Sequence, residues 1–213
     1  MSDFVRLLDG YRRFRKDGYP RQRERFDQLV EHGQSPRFLI IACCDSRVDP
    51  AQIFDVDPGE IFVVRNVAAL VPPFETTPGL HGVSAALEFA VQVLKVGHIV
   101  VMGHGMCGGT KAALTQEMLG TAPGEGGFIS SWIGLLDAAR GPVAEKYGTE
   151  SREAERAMEH AAVEVSLANL RSFPCVRQKE RSGELTLHGS FFAISEGVLH
   201  LLDETTGAFK PAD

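Results

Sequence analysis

The stretch Arg37-Phe-Leu-Ile-Ile-Ala-Cys-Cys-Asp-Ser-Arg47 decides how this chain of 213 residues is read. Up to Cys43 it is a short, continuous apolar run with β-branched members, following Pro36. Such a run reads as a strand buried on both faces, as in a parallel sheet. Immediately after it the chain changes character, to thiols, a carboxylate and a guanidinium.

Working outward, Glu60-Ile-Phe-Val-Val-Arg-Asn66 is a second run of this kind and His98-Ile-Val-Val-Met-Gly103 a third. Residues 80–96 lie between these two and carry apolar side chains at helical spacing, so strand, helix and strand make a crossover unit. Residues 108–119 predict a helix that starts straight after the third strand. Residues 151–173 predict a long helix. Ser151 starts it, Glu153 or Glu155 supplies an acid in the first turn, and Met158, Ala161, Ala162, Val165 and Ala168 line one side before a stop near Pro174. Residues 185–194 and 198–202, joined at Ser195-Glu196-Gly197, predict a closing hairpin. The sum is an α/β fold: a mostly parallel central β-sheet flanked by helices, with an N-terminal helical arm and a C-terminal hairpin at the edge. The expected division is an arm over 1–33 and a single α/β domain over 34–213. In such sheets ligands sit beyond the carboxyl ends of the strands, at a switch point.

Composition narrows the function classes. Hydrophobic residues at 44% and charged residues at 23% are those of a globular domain. The 22 Lys and Arg against 28 Asp and Glu give a net charge of −6, the wrong sign for a nucleic-acid footprint. No apolar run approaches the ~20 residues of a membrane span, and Asp3, Arg6 and Asp9 interrupt any leader-like apolar segment. The first 25 residues are nonetheless locally basic. With Phe4, Leu7, Leu8 and Tyr11 at helical spacing they read either as a solvated helix face or as an amphipathic arm lying on an acidic partner subunit. Cys43, Cys44, Cys107 and Cys175 are too few for a disulfide framework at this length. The expected setting is therefore a reducing one, the cytoplasm, where thiols serve metals or catalysis.

Two segments carry the chemistry. The first strand runs into Cys43-Cys44-Asp45-Ser46-Arg47, and the third into Gly103-His104-Gly105-Met106-Cys107-Gly108-Gly109. Together they bring two thiols and an imidazole to one edge of the sheet. Cys43, His104 and Cys107 supply three ligands of the kind zinc prefers, and three protein ligands leave a fourth position open, as in catalytic sites. Two thiolates and a neutral imidazole cancel the charge of Zn²⁺, so water on it is less acidified than at an all-histidine site, and a helper is expected. In an extended stretch positions 43, 45 and 47 point the same way. Asp45 then either takes the fourth position or is held off by Arg47, free to orient a zinc-bound hydroxide.

Other readings of these residues are weaker. Cys175 and Cys44 read as small hydrophobes, Cys44 facing away from Cys43. A vicinal disulfide or a structural zinc finger lacks support, the latter because no fourth ligand sits in the two segments except Cys44. A phosphate loop fails on order, since Gly108-Gly109-Thr110-Lys111 does not place Gly-Lys-Ser/Thr at the required position. The shared physics survives: amides of Gly108 and Gly109 at a helix N-terminus can hold a small anion.

At these residues the chain resembles the β-class carbonic anhydrases, through C-x-D-x-R at Cys43, Asp45 and Arg47 and H-x-x-C at His104 and Cys107. The likeness continues through Pro58-Gly-Glu-Ile-Phe-Val-Val-Arg-Asn-Val67 and Val71-Pro-Pro73, and covers most of residues 34–202. It implies reversible hydration of CO₂ to bicarbonate and a proton, through hydroxide on one zinc ion per subunit. It also implies a homodimer or dimer of dimers, the arm crossing to the neighbour, with no nucleic-acid or membrane partner. By matching position Gln34 resembles the substrate-contacting Gln, and Phe62, Val67 and Phe89 the apolar pocket lining, partly from the other subunit; taken alone, those three read as ordinary core. A regulated subgroup binds bicarbonate at a second site through Trp, Arg and Tyr. Here those positions hold Ile40, Arg65 and Phe192, so no such site is expected, and an Asp45–Arg47 pair is. Relatives often carry Tyr where Phe89 stands, a change that bears on proton transfer. His32, His81 and His188 have no context that marks a proton shuttle. COS or CS₂ hydrolysis on the same fold is the alternative activity, and a non-catalytic zinc or interaction protein is disfavoured by Asp45 and Arg47 together.

Overall fold

The computed structural model describes residues 3–213; Met1 and Ser2, the start of the expected arm, lie outside the described residues. One sheet holds β1 (Phe38–Cys43), β2 (Ile61–Asn66), β3 (His98–His104), β4 (Thr186–Ala193), β5 (Val198–Asp203) and β6 (Ala208–Pro211), in the order β2-β1-β3-β4-β5-β6. β1 runs parallel to β2 and β3, and β3 parallel to β4, whereas β5 and β6 continue antiparallel. The three apolar runs thus form the first three strands, close to their expected bounds. The closing hairpin forms as β4 and β5, and its first strand also joins β3. β6 has too few residues to show a pattern and ends on Pro211, which an edge strand tolerates.

Before the sheet come α1 (Asp3–Arg13), α2 (Tyr19–Arg21) and α3 (Arg23–His32); α4 (Pro50–Ile53) follows β1. Pro50 starts α4 and Asp49 caps it, Oδ1 accepting from Ala51 N at 3.0 Å and Gln52 N at 3.3 Å. The helix expected over 80–96 is α5 (Gly82–Glu88) continued as a π-helix over Phe89–Leu94 and stopped by Lys95 in the left-handed region. α6 (Gly108–Thr115) ends earlier than expected, because Gln116 turns left-handed at φ 57°. α7 (Gly127–Ile133) and α8 (Asp137–Tyr147) occupy a stretch without a marked apolar period. α9 (Arg152–Leu170) is capped as read, Ser151 Oγ accepting from Ala154 N at 3.0 Å. At Pro174 the reading of a stop was half the story: proline there is also the first residue of α10 (Pro174–Ser182), where its missing N–H costs nothing.

Leu39 and Ile41 on β1 and Ile99 and Val101 on β3 pack with Leu87, Val91, Val163 and Leu167 of the flanking helices. Ile40, Ala42 and Met102 fill the other face, so β1 is buried on both sides. Because β1 sends its neighbours off in both directions, the crevice between the carboxyl ends of β1 and β3 is the switch point of the sheet. Cys43 ends one strand and His104 the other.

Candidate metal centre

Cys43, His104 and Cys107 converge there. Their sulfur and nitrogen ligand atoms all lie within 4.8 Å of one another, and the residues are 6%, 1% and 3% exposed. Each is placed by a different element: Cys43 by β1, His104 by β3, and Cys107 as the residue preceding α6. His104 Nδ1 donates to Gly105 O at 2.9 Å, which fixes the tautomer and leaves Nε2 as a lone pair. Nε2 is buried without a hydrogen-bond partner among the described residues. The two thiols oppose each other. Each thiol acts on the other, lowering the Cys107 pKa and raising that of Cys43; burial raises Cys43 further, and Thr110 and Gly109 at the start of α6 help lower Cys107. An orphaned imidazole nitrogen beside two facing sulfurs is a donor set that a divalent soft-to-borderline cation satisfies.

After Cys43 the chain is not extended, as the sequence suggested, but turns: Val48 N donates to Asp45 O at 3.2 Å. The turn folds Arg47 back on Asp45. Arg47 Nε donates to Oδ1 at 2.9 Å and Nη2 to Oδ2 at 2.6 Å, and the Arg47 amide adds a bond to Oδ1 at 2.9 Å. Arg47 thereby holds the Asp45 carboxyl well below the usual carboxylate range. Asp45 Oδ2 also lies 3.9 Å from His104 Nε2.

Arg65, on β2, organises this turn. Nε donates to Cys43 O at 2.9 Å, Nη2 to Asp45 O at 2.7 Å and Val48 O at 3.0 Å, and Nη1 to Asp49 Oδ2 at 3.0 Å. Sequence reasoning noticed Arg65 only as a matching position; the signal for this role was a lone cation inside an apolar run, which the structure makes a half-exposed edge strand. Asn66 went unread. Its amide clamps both polar groups of Leu70, donating to the carbonyl at 2.9 Å and accepting from the N–H at 2.8 Å. That clamp closes a bend in which Ala68 and Ala69 are left-handed. The bend seats Val67 against α6: a Cβ on Gly109 would come within 2.7 Å of Val67 Cγ1 and 3.1 Å of Ala68 Cβ. Gly108, one residue earlier, is exposed.

Val67 and Cys44, which does face away from Cys43, line an open, mainly apolar cleft of about 690 Å³ with Asn66, Pro72, Leu80 and Trp132. His81 is on its rim, Nε2 bonded to Thr77 O at 2.8 Å. His188 instead pairs with His98 at 3.2 Å, and His32 lines a separate cleft at the other end of β1. Gln34 is at that far end too, exposed in the loop before β1, roughly 20 Å of strand away from Cys43. Phe62 pairs with Leu39 near the start of β1 and stacks on Phe89 at 5.9 Å, and Phe89 is 42% exposed. Within one chain, then, Val67, Gly108 and Gly109 join the centre, and Gln34, Phe62 and Phe89 do not. Cys175 is half-buried at the margin of the core.

The family model for carbonic anhydrase matches residues 38–199. A carbonic anhydrase of Pseudomonas aeruginosa is 38% identical over 204 residues, 95% of this chain and 89% of that protein. The structure of the β-carbonic anhydrase CcaA superposes with a TM-score of 0.90 at 32% identity, over 99% of this chain and 100% of that one. One of two β-carbonic anhydrases of Sordaria macrospora, described as tetrameric, does so at 0.81 and 30% identity, over 94% and 96%. The chain belongs to the β-class carbonic anhydrase family. It is an enzyme of the carbonate dehydratase type, a lyase whose general reaction is the hydration of CO₂. Among the described residues no helix is long and apolar enough to cross a membrane.

Proposed function

We propose that this protein is a zinc enzyme that interconverts CO₂ and bicarbonate, with Cys43, His104 and Cys107 holding one zinc ion per subunit. The observation that carries this reading is the convergence of three buried ligand atoms, one of them an orphaned imidazole nitrogen, beside a carboxylate held off by Arg47. When bound, the zinc supplies a Lewis acid that lowers the pKa of water and so provides a nucleophile near neutral pH.

The chain's own residues do the rest. Asp45 Oδ2, beside His104 Nε2, accepts a hydrogen bond from the attacking water and aims its lone pair at the carbon of CO₂. Arg47 keeps Asp45 ionised and out of the fourth ligand position. Val67 offers an apolar wall to an apolar substrate. The amides at Gly108 and Gly109 open α6 and give donors to the negative charge that grows as bicarbonate forms. Arg65 spends its donors on the 43–49 turn, and Ile40 is buried in the sheet, which supports the absence of an inhibitory bicarbonate site.

Gln34, Phe62 and Phe89 complete the substrate pocket of a partner subunit, since their own chain holds them at the wrong end of β1. The assembly is a homodimer or a dimer of dimers, with residues 1–33 as the arm on the partner and 34–213 as the catalytic domain. Phe4, Leu7 and Tyr11 on α1, at 65%, 72% and 56% exposed, form an apolar stripe that such packing would cover. Two ligand thiols that must remain thiolates suit a reducing, cytoplasmic setting.

Metal analysis of the purified protein paired with side-by-side turnover of CO₂ and COS tests this reading. The expected result is about one zinc per chain and preference for CO₂. Protein purified without zinc, or better turnover of COS, would contradict it.

A further inference from the structure

The turn between the last two metal ligands has to double back within three residues, and Met106 takes a left-handed φ of 57° to do so. A non-glycine residue in that region is held there at a cost of about 1–2 kcal/mol, so the turn needs fastening. Both polar groups of Met106 are fastened. Its carbonyl accepts from Arg47 Nη2 at 2.9 Å, and its N–H donates to Glu159 Oε1 at 2.6 Å.

Glu159 comes from α9, more than fifty residues on, and is only 2% exposed. Arg152 Nη1 lies 3.2 Å from the same Oε1, and Arg156 Nε lies 3.4 Å from Oε2. Arg152 is steadied by Glu155 at 2.6 Å, and Glu155 by Lys111 of α6 at 3.2 Å. A buried carboxylate is costly even when paired, and an apolar side chain commonly packs as well or better. Packing alone therefore does not account for an acid here, whereas an acceptor of this reach does.

We propose that Glu159 is a positioning residue of the metal centre: by accepting the Met106 amide it fixes the 104–107 turn, and through Met106 O and Arg47 it sets the angle at which Asp45 faces the centre. The proposal rests on the reading that Cys43, His104 and Cys107 are the metal ligands.

Two conservative variants separate reach from charge. Glu159→Gln keeps an acceptor oxygen at the same reach and drops the charge. Glu159→Asp keeps the charge and withdraws the oxygens by one methylene. On the zinc-loaded full-length protein the readouts are zinc release to a chelator and hydrogen exchange at the Met106 amide; on the Co²⁺-substituted protein, the visible bands that report ligand geometry. The Gln variant should match wild type in all three. The Asp variant should release zinc about tenfold faster, show shifted cobalt bands and lose protection at Met106, with kcat falling more than KM rises. An Asp variant that behaves as wild type, or a Gln variant as impaired as Asp, would overturn the proposal. So would fast exchange of the Met106 amide in the wild-type protein, whatever the variants do and whether or not they fold. Zinc release, the cobalt bands and exchange at Met106 need no CO₂ turnover. Wild type that is inert toward CO₂ would therefore sink the functional reading and leave this comparison standing.

Discussion

Arg47 grips Asp45 side-on, Nε to Oδ1 at 2.9 Å and Nη2 to Oδ2 at 2.6 Å. The same Nη2 reaches back to Met106 O at 2.9 Å, inside the turn that carries His104 and Cys107. One guanidinium therefore ties the β1 half of the centre to the β3 half. Lysine has the charge but not the fork, and cannot make this set of contacts.

Removing Asp45 should uncouple chemistry from metal binding. Asp45→Ala leaves Cys43, His104 and Cys107 in place, so zinc content should stay as in wild type. The loss of the acceptor should lower kcat for CO₂ hydration by about 100-fold. Stopped-flow hydration alongside metal analysis checks both halves, and unchanged turnover would remove Asp45 from the mechanism.

The lowered pKa of Asp45 has a signature in stability. Its folded pKa lies below the ordinary 3.8, chiefly through the Arg47 hydrogen bond. Ionised Asp45 therefore favours the folded state. That contribution is complete above pH ~5 and fades as pH falls past the ordinary value and through the depressed one. Thermal denaturation of wild type and Asp45→Asn should show a constant gap in Tm from pH 8 to about 5, narrowing in stronger acid. A gap that widens on acidification would reverse the sign of the argument.

The two glycines that open α6 should respond differently to a methyl group. At Gly109 the added carbon meets Val67 and Ala68, so Gly109→Ala should cost about 1–3 kcal/mol and push on the wall of the cleft. Gly108 is exposed, and Gly108→Ala should melt within about 0.5 kcal/mol of wild type. Paired chemical denaturation curves decide it; equal losses at both sites would mean that the close approach of Val67 is not what constrains Gly109.

Subunit sharing of the pocket predicts complementation. A chain with Asp45→Ala and a chain with Gln34→Ala are each impaired at every site of their own homo-oligomer. In a mixed dimer, one site has its own Asp45 and receives the other chain's intact Gln34. Co-refolding the two should restore turnover that neither has alone, to about a quarter of the sites for random pairing. Mixing without any recovery would place Gln34 and Asp45 in the same subunit's site, or Gln34 outside the pocket altogether.

How far the sequence could be read follows from which interactions were local. β1, β2 and β3 were legible because each is a continuous apolar run, although only β1 and β3 are buried and β2 is a half-exposed edge strand; Cys43 and His104 sit where the β1 and β3 runs end. The Asp45–Arg47 pair was legible from its spacing, though the backbone reaches it by a turn rather than by extension. The stop near Pro174 was legible and the helix that starts there was not, because proline ends one helix and begins the next with the same chemistry. β6 is too short to have a period. Asn66 and Glu159 act on backbone atoms outside their own strand or helix and nothing in their own neighbourhood announces that, while Arg65 is marked only as a lone cation inside an apolar run. Gln34 and Phe89 could be matched but not placed, since within the chain β1 itself separates them from Cys43.

The most direct test of the central claim is the rate of CO₂ hydration by the protein before zinc removal, after chelation, and after zinc is returned. The rate should fall to background when zinc is stripped and recover with about one equivalent per chain. Turnover that survives stripping, or a fully zinc-loaded protein that is inert from pH 7 to about 9, would contradict the assignment of Cys43, His104 and Cys107 as the working metal centre.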